Sequence, residues 1–341
     1  MEHNSQPAFL TQEVAKLPMD IDTSIEAYPG QLDTLAKSRA GTKPSCRLGA
    51  VIGTFRGPFL LLTPACVSVG LGLVVGQGSP FSLAILGLVI LGALSAHIGV
   101  NVLNEYSDFR SGLDHRTIRT PFSGGSGSLP ACPQAASLAR MVGYGAVLLT
   151  LVIGLVLLAL SGPGLIPIGL IGVILVLVYT PWVTRHPLLC LIAPGLGFGA
   201  LMVLGTQYAL AGAFSLQGLA ASLVPFFLVN NLLLLNQFPD VEADRSVGRD
   251  HVLIHWGKTV GRWLLLSFYA AAYGVILIGV LSGLFPLTTL MAGASLVLTI
   301  PTLSRLWQNQ EDPEQLRPAM GLNVAISLVT PVLLGVGLAL T

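Results

Sequence analysis

The stretch from Ala146 to Leu160, AVLLTLVIGLVLLAL, carries no charged side chain, and it is one of nine apolar runs in the chain. They lie near 57–77, 81–103, 138–160, 164–181, 188–212, 216–236, 263–283, 285–303 and 319–340. A hydrocarbon layer of about 30 Å takes about 20 helical residues to cross. Backbone N–H and C=O groups find no water there, so only helices and closed barrels can span it. Barrel strands alternate apolar and polar residues, and these runs do not. The expectation is an all-α polytopic membrane protein with nine transmembrane helices. Composition agrees, with 53% of the 341 residues hydrophobic and 10% charged, against about 25% charged in a soluble domain.

Charge placement orients the bundle. With the N-terminal segment taken as cytoplasmic, the connections near 77–80, 161–164, 212–216 and 283–286 fall outside and hold no Lys or Arg. All 17 basic residues then lie on the inner side, as the positive-inside rule requires. The 16 acidic residues share that side, although acids contribute little to orientation. A reactive face open to the cytoplasm would account for them. The expected location is the cytoplasmic (inner) membrane in a bacterium. Residues 1–47 read as a mobile polar extension without a signal peptide's pattern, and 48–341 as the membrane domain. Cys46, Cys66, Cys132 and Cys190 show no metal-binding spacing and read as free thiols. A net charge of +1 argues against a nucleic-acid partner.

Two polar clusters interrupt this apolar sequence. Asn101, Asn104 and Asp108 fall at i, i+3 and i+7, with Asp114 beyond; Asn236, Asp240 and Asp244 fall at i, i+4 and i+8. Each spacing places its residues on one helix face, and each set ends a long apolar run. Two such faces together would form an oxygen-lined cup. Mg²⁺ takes oxygen ligands and is commonly held by one or two carboxylates, with phosphate oxygens and waters completing its shell. The cup therefore suits a metal-bridged diphosphate. Polar groups at membrane depth mark functional sites by default, but the two Asn amides could instead serve interhelical hydrogen bonding. His97 has the same two readings.

Around the first cluster, Arg110, His115, Arg116 and Arg119 supply positive charge, and guanidinium forks match phosphate oxygens. Each could equally be a topology signal or a lipid headgroup contact. The SGGSG stretch from Ser123 could present backbone N–H groups to an anion or be a plain flexible loop. It is not a P-loop, because no Gly-Lys-Ser/Thr follows. Pro239 should kink the span just before Asp240.

Together the two polar loops resemble those of the UbiA superfamily of intramembrane prenyltransferases, most closely the branch containing menaquinone-forming 1,4-dihydroxy-2-naphthoate prenyltransferases. The first motif of that branch, N-x-x-N-x-Y-x-D-x-x-x-G-x-D, is matched by Asn101, Asn104, Tyr106, Asp108, Gly112 and Asp114. The second, N-x-x-x-D-x-x-x-D-x-x-x-G-K, is matched by Asn236, Asp240, Asp244 and Gly248, with Arg249 in place of Lys and His251-Val252 in place of Thr-Leu. Arg56-Gly57-Pro58 is similar to the start of the family's first span, and Tyr179-Thr180-Pro181 to the end of its fourth.

The resemblance covers about residues 48–340 and implies helices around a central cavity capped by the two loops, with a lateral opening for lipid. It implies Mg²⁺ held by Asn104, Asp108, Asn236, Asp240 and Asp244, with Asn101 and Asp114 in support. Asn104, Asp108, Asp240 and Asp244 become the catalytic set. Arg110, Arg116, Arg119, Arg185, Arg249 and Lys258 form the pool from which diphosphate-binding charges would come, and His97, Tyr106 and Tyr179 are candidate cavity groups. The implied reaction joins a prenyl diphosphate to an aromatic acceptor of the quinone-precursor type within the membrane. Other branches use non-quinone acceptors, which stays an alternative. A cation-coupled transporter is a third reading, disfavoured because transport paths place polar groups near the midplane on interrupted repeats. A silent prenyl-binding scaffold of the same fold is a fourth.

Overall fold

The computed structural model describes residues 44–340, which are mostly helical, have their longest irregular stretch at 116–127, and contain no strand. The expected polar extension lies, up to residue 43, outside the described residues. The helices are α1 (Pro44–Thr54), α2 (Leu62–Gly76), α3 (Leu83–Ser111), α4 (Ala136–Ser161) and α5 (Leu165–Val178). There follow α6 (Pro187–Ala211), α7 (Leu216–Asn236), α8 (Val241–Ser246), α9 (Gly257–Leu281), α10 (Leu287–Asn309) and α11 (Pro313–Ala339). Eight segments among the described residues are long and apolar enough to cross a membrane. The ninth expected span, 164–181, appears as the 14-residue apolar helix α5.

Local chemistry sets the boundaries. Ser82 and Ser215 cap α3 and α7 by accepting from the backbone N–H of Ile85 and Gly218, and Asp312 accepts from Glu314 and Gln315 ahead of α11, with Pro313 at the first helical position. Gly112, at φ 76°, ends α3 in a left-handed turn. Helix α6 holds Pro194, which removes a backbone donor, and its Leu196–Leu201 stretch widens into a π-helix.

Helices α7, α9, α10 and α11 share the largest buried cluster, including Leu228, Leu235, Leu265, Leu316 and Ile326. Helices α3 and α4 pack on one another, and α2 packs on α11 and α6. The α2–α11 approach is close enough that a Cβ on Gly72 would lie 2.1 Å from the Gly335 carbonyl oxygen. Small residues let backbones meet in this way where lipid supplies no hydrophobic drive between helices.

The cysteine expectation is corrected. Cys66 and Cys190 are free and buried, but Cys46 and Cys132 form a disulfide with their Cα atoms 6.5 Å apart. The fold brings the start of α1 beside the segment that leads into α4. A separation of 86 residues gives no sequence signal of that pairing.

Candidate active site

A cavity of about 640 Å³ opens among α2 to α7, and its charged residues lie at one end. Its lining on α3 runs from Val89 to Asp108, which at 1.5 Å per residue is about 28 Å, close to the thickness of the hydrocarbon layer. The apolar part is lined by Val147, Leu151, Leu158, Leu165, Val173 and Leu201, among others. The polar end gathers Asn101, Asn104, Asp108 and Asp114 with Asn236, Asp240, Asp244 and Arg249. Both motifs therefore meet at one site.

They reach it by different routes. Asn101, Asn104 and Asp108 do share one continuous helix, α3. The expectation that Asn236, Asp240 and Asp244 line one helix face is overturned, because α7 ends at Asn236 and α8 begins at Val241, leaving Asp240 in the turn between. Pro239 supplies no N–H and disfavours helical geometry at Phe238. The span stops there rather than merely kinking.

Arg249 joins the two motifs. One guanidinium nitrogen contacts Asp108 Oδ1, and another donates to Asp244 Oδ1 at 2.8 Å. His251 Nε2 lies 3.2 Å from Asp244 Oδ2, and Asn104 Nδ2 donates to Asp108 Oδ2 at 3.0 Å. Burial alone would raise the Asp244 carboxyl, but His251 and Arg249 hold it below the usual carboxylate range. The same two carboxylates raise Arg249 against its own burial. Asp240 behaves in the opposite way: burial, reinforced by the charge of Asp244, pushes it up to about 7. Burial and neighbouring Glu105 push Asp114 up to about 6.

Several oxygens at this end are left without partners. Asp240 Oδ1, Asp114 Oδ2 and Asn236 Oδ1 are buried and accept no hydrogen bond. Buried acceptors are ordinarily satisfied, so three spare oxygens at the polar end of one cavity fit a cation shared with an anionic ligand. Among the described residues no three His, Cys, Asp or Glu side chains are grouped to hold a metal alone. Amide and phosphate oxygens would have to complete its shell, as Mg²⁺ chemistry allows.

The other site expectations divide clearly. His97 and Tyr179 line the cavity; His97 Nδ1 shares a hydrogen bond of 2.9 Å with Thr63 Oγ1, and its ring meets Phe198 edge-on at 4.6 Å. Of the six basic candidates only Arg249 lines the cavity. Arg110 and Arg185 are exposed; Arg116 is also exposed and donates to Ser246 Oγ at 2.9 Å. Arg119 donates to the Asp114 carbonyl at 2.9 Å, and Lys258 pairs with Glu311 at 2.6 Å. Tyr106 lies away from the cavity under the Arg140 guanidinium, packed with α1 and α4 residues. Tyr106 and Arg110 occupy faces of α3 that a cavity-facing Asp108 turns outward.

Sequence reasoning missed Arg56 as a site residue. It lines the cavity with a left-handed backbone at φ 53° and donates to the Phe122 carbonyl at 3.2 Å. A non-glycine residue in that region is uncommon and is often held at functional sites. The available signal was a lone Arg at the threshold of the first apolar run. His251 was noted only as a departure from the motif, yet it is 1% exposed and lines the cavity.

Comparison with known proteins agrees with this geometry. The chain is 22% identical over 302 residues to the 2-carboxy-1,4-naphthoquinone phytyltransferase of Synechocystis sp., covering 84% of this chain and 92% of the relative. It is 30% identical over 191 residues to the 1,4-dihydroxy-2-naphthoate octaprenyltransferase of Mycobacterium tuberculosis, covering 55% and 63%. Among solved structures, a UbiA homologue from Archaeoglobus fulgidus bound to GPP and Mg²⁺ superposes with a TM-score of 0.60 at 18% identity, covering 86% of this chain and all of that one. The family model for UbiA prenyltransferases matches residues 63–325. The chain is thus an integral, multi-pass membrane prenyltransferase and belongs to the UbiA prenyltransferase family.

Proposed function

We propose that this protein transfers an isoprenoid chain from a prenyl diphosphate to an aromatic quinone precursor of the dihydroxynaphthoate kind, with Mg²⁺, at a site facing the cytoplasm. The observation that carries this reading is one cavity with two chemistries: spare carboxylate and amide oxygens with cationic Arg249 and Arg56 at its polar end, and apolar walls along most of its depth. The naphthoate and naphthoquinone substrates in the relatives' names support the acceptor class.

Asn104, Asp108, Asn236, Asp240 and Asp244 would hold the metal, with Asn101 and Asp114 in support. When bound, Mg²⁺ supplies Lewis acidity toward the diphosphate oxygens. Arg249 and Arg56 are placed to stabilise charge building on the diphosphate as the allylic C–O bond breaks. The apolar wall from Val89 to Leu201 takes the isoprenoid tail and keeps water from the electron-poor allylic carbon. The acceptor ring carbon then bonds to that carbon and gives up the proton it carried, which the released diphosphate can accept, so that the ring regains its aromaticity. His97, Phe198 and Tyr179 are among the cavity residues that offer ring-sized contacts to it.

The test is diphosphate release from geranyl, farnesyl and geranylgeranyl diphosphates by purified protein, with and without Mg²⁺, against dihydroxynaphthoate, hydroxybenzoate and homogentisate. Mass spectrometry identifies the products. Mg²⁺-dependent release matched by a prenylated naphthoate is the expected result. Release matched only by another acceptor's product would overturn the acceptor class, and no release from folded protein would overturn the reading.

A further inference from the structure

Glu105 is an acid that neither motif accounts for, on the helix that carries the first motif, directly after Asn104. It is 3% exposed and is absent from the cavity lining. Its partners lie in the glycine-rich segment instead: Oε1 accepts from the Ser126 backbone N–H at 2.8 Å, and Oε2 accepts from Ser126 Oγ at 2.7 Å. Arg56 Nε lies 3.9 Å from Oε1. An anion held by one peptide N–H and one hydroxyl of the same residue fixes both the position and the rotation of that residue.

The consequences run along the segment. Gly125 and Gly124 adopt φ of 73° and 75°, a conformation that glycine holds without steric cost. A Cβ on Gly125 would lie 2.8 Å from Asp114 Oδ1 and 3.5 Å from Glu105 Oε1. The turn therefore lies flush on both acids. From this turn the Gly124 N–H donates to Asp240 Oδ2 at 3.2 Å, crossing from the first loop to the second motif. Arg56 adds a second hold through Phe122, and Thr117 Oγ1 donates to the Gly124 carbonyl at 3.3 Å. With Oδ2 committed to Gly124, the free oxygen of Asp240 is Oδ1, the atom left unpartnered at the cavity.

We propose that Glu105 is a positioning residue for the cation site: by clamping Ser126 it sets the Gly124–Gly125 turn, and that turn orients Asp240 so that Oδ1 faces the cavity. The glycine-rich segment thus binds carboxylates of its own chain. Groups that orient a ligand rather than contact the metal are commonly worth 10- to 100-fold in metal affinity. This inference rests on the proposed function, since it concerns the same site.

The test measures cation binding directly. Mn²⁺ is titrated into full-length protein with geranyl diphosphate present, and free Mn²⁺ is read by electron paramagnetic resonance for wild type, Glu105→Gln and Ser126→Ala. Gln keeps the volume and one acceptor oxygen, and Ala at 126 keeps the backbone N–H. The Mn²⁺ dissociation constant should rise about 10-fold or more in Glu105→Gln and less in Ser126→Ala, with thermal midpoints near wild type. A role in stability alone would lower the midpoint and leave the constant unmoved, and that result overturns the proposal. Wild type that binds no Mn²⁺ with the diphosphate would bring down the proposed function and this inference together. Normal wild-type binding with unchanged variants removes the inference alone.

Discussion

The two sides of this bundle are built to different rules. In α7, 67% of the apolar stretch is buried inside the protein, and in α11 the figure is 50%; in the segment containing α4 it is 17%, and α5 buries no residue. The deep side is also joined by polar contacts. Tyr269 on α9 donates to Asn323 Oδ1 at 2.6 Å, Asn323 Nδ2 donates to the Asn231 carbonyl at 2.9 Å, and Asn231 Nδ2 donates to the Leu265 carbonyl at 2.9 Å. A second set links Tyr273, Ser295 and Thr330. Helices α4 and α5 face the cavity on their inner surface. Rigidity is thus concentrated behind the second motif, while the wall along the apolar chamber is free to differ in shape with little cost to the fold.

This contrast makes the two sides fail differently. The largest effect is expected at the cavity: Asp108→Ala or Asp240→Ala should cut turnover by about 10³-fold or more, measured as product formation, while the protein stays folded and membrane-inserted. Near-normal turnover in either variant would break the assignment of the acids. On the deep side, Asn323→Ala should leave turnover nearly intact but cost about 1–3 kcal/mol of stability, because Tyr269 and the Asn231 carbonyl lose their partner. A denaturation series in detergent reads it, and an unchanged midpoint would show that the network does not stiffen the scaffold.

A smaller, graded effect comes from pH. Asp240 and Asp114 are raised to about 7 and about 6 without metal, and a cation needs them ionised. Cation affinity should therefore climb as pH rises from about 5.5 to 7.5, by at most about tenfold per unit for each proton released, and level off above. The stability sign is opposite: a carboxyl with a raised folded-state pKa favours the fold at low pH, and this contribution fades as pH rises through about 7. The metal-free protein should melt lower at pH 8 than at pH 6. Affinity that is flat across this range would mean the acids are already ionised. The smallest effect is Arg249→Lys. It keeps the charge but loses the fork that reaches two carboxylates at once, so kcat/KM should fall less than about tenfold.

Much of this was legible in the sequence because the chemistry is local. Runs such as 146–160 announce helices by length alone, and the motif spacings brought Asn101, Asn104 and Asp108 onto one face of α3. What escaped depended on contacts across the fold. Helix α5 fell short because its run is interrupted at both ends, by Gly162-Pro163-Gly164 and Pro181. The basic residues Arg110, Arg116, Arg119, Arg185 and Lys258 were pooled with Arg249, although Arg249 alone stands at a basic position of a motif, since proximity to a motif does not fix the direction in which a side chain leaves its backbone. Glu105 carried no signal of its own in the sequence and Arg56 stood only in the Arg56-Gly57-Pro58 resemblance, because their roles depend on the segment from Phe122 to Ser126 folding against them. The cysteine pair failed for the same reason, because nothing in the chain between Cys46 and Cys132 records where α1 begins in space.

That pair changes how the chain is connected. The Cys46–Cys132 bridge closes a covalent ring that contains α2, α3, the whole first motif and the glycine-rich segment. A protease nick at exposed Arg116 or Arg119 would leave the protein a single molecule, and two fragments would part on a denaturing gel only after a reductant opened the ring. If the site faces a reducing cytoplasm, the ring is open there, and the same nick would separate the first motif from the second in covalent terms, leaving helix packing alone to hold the two halves of the site together.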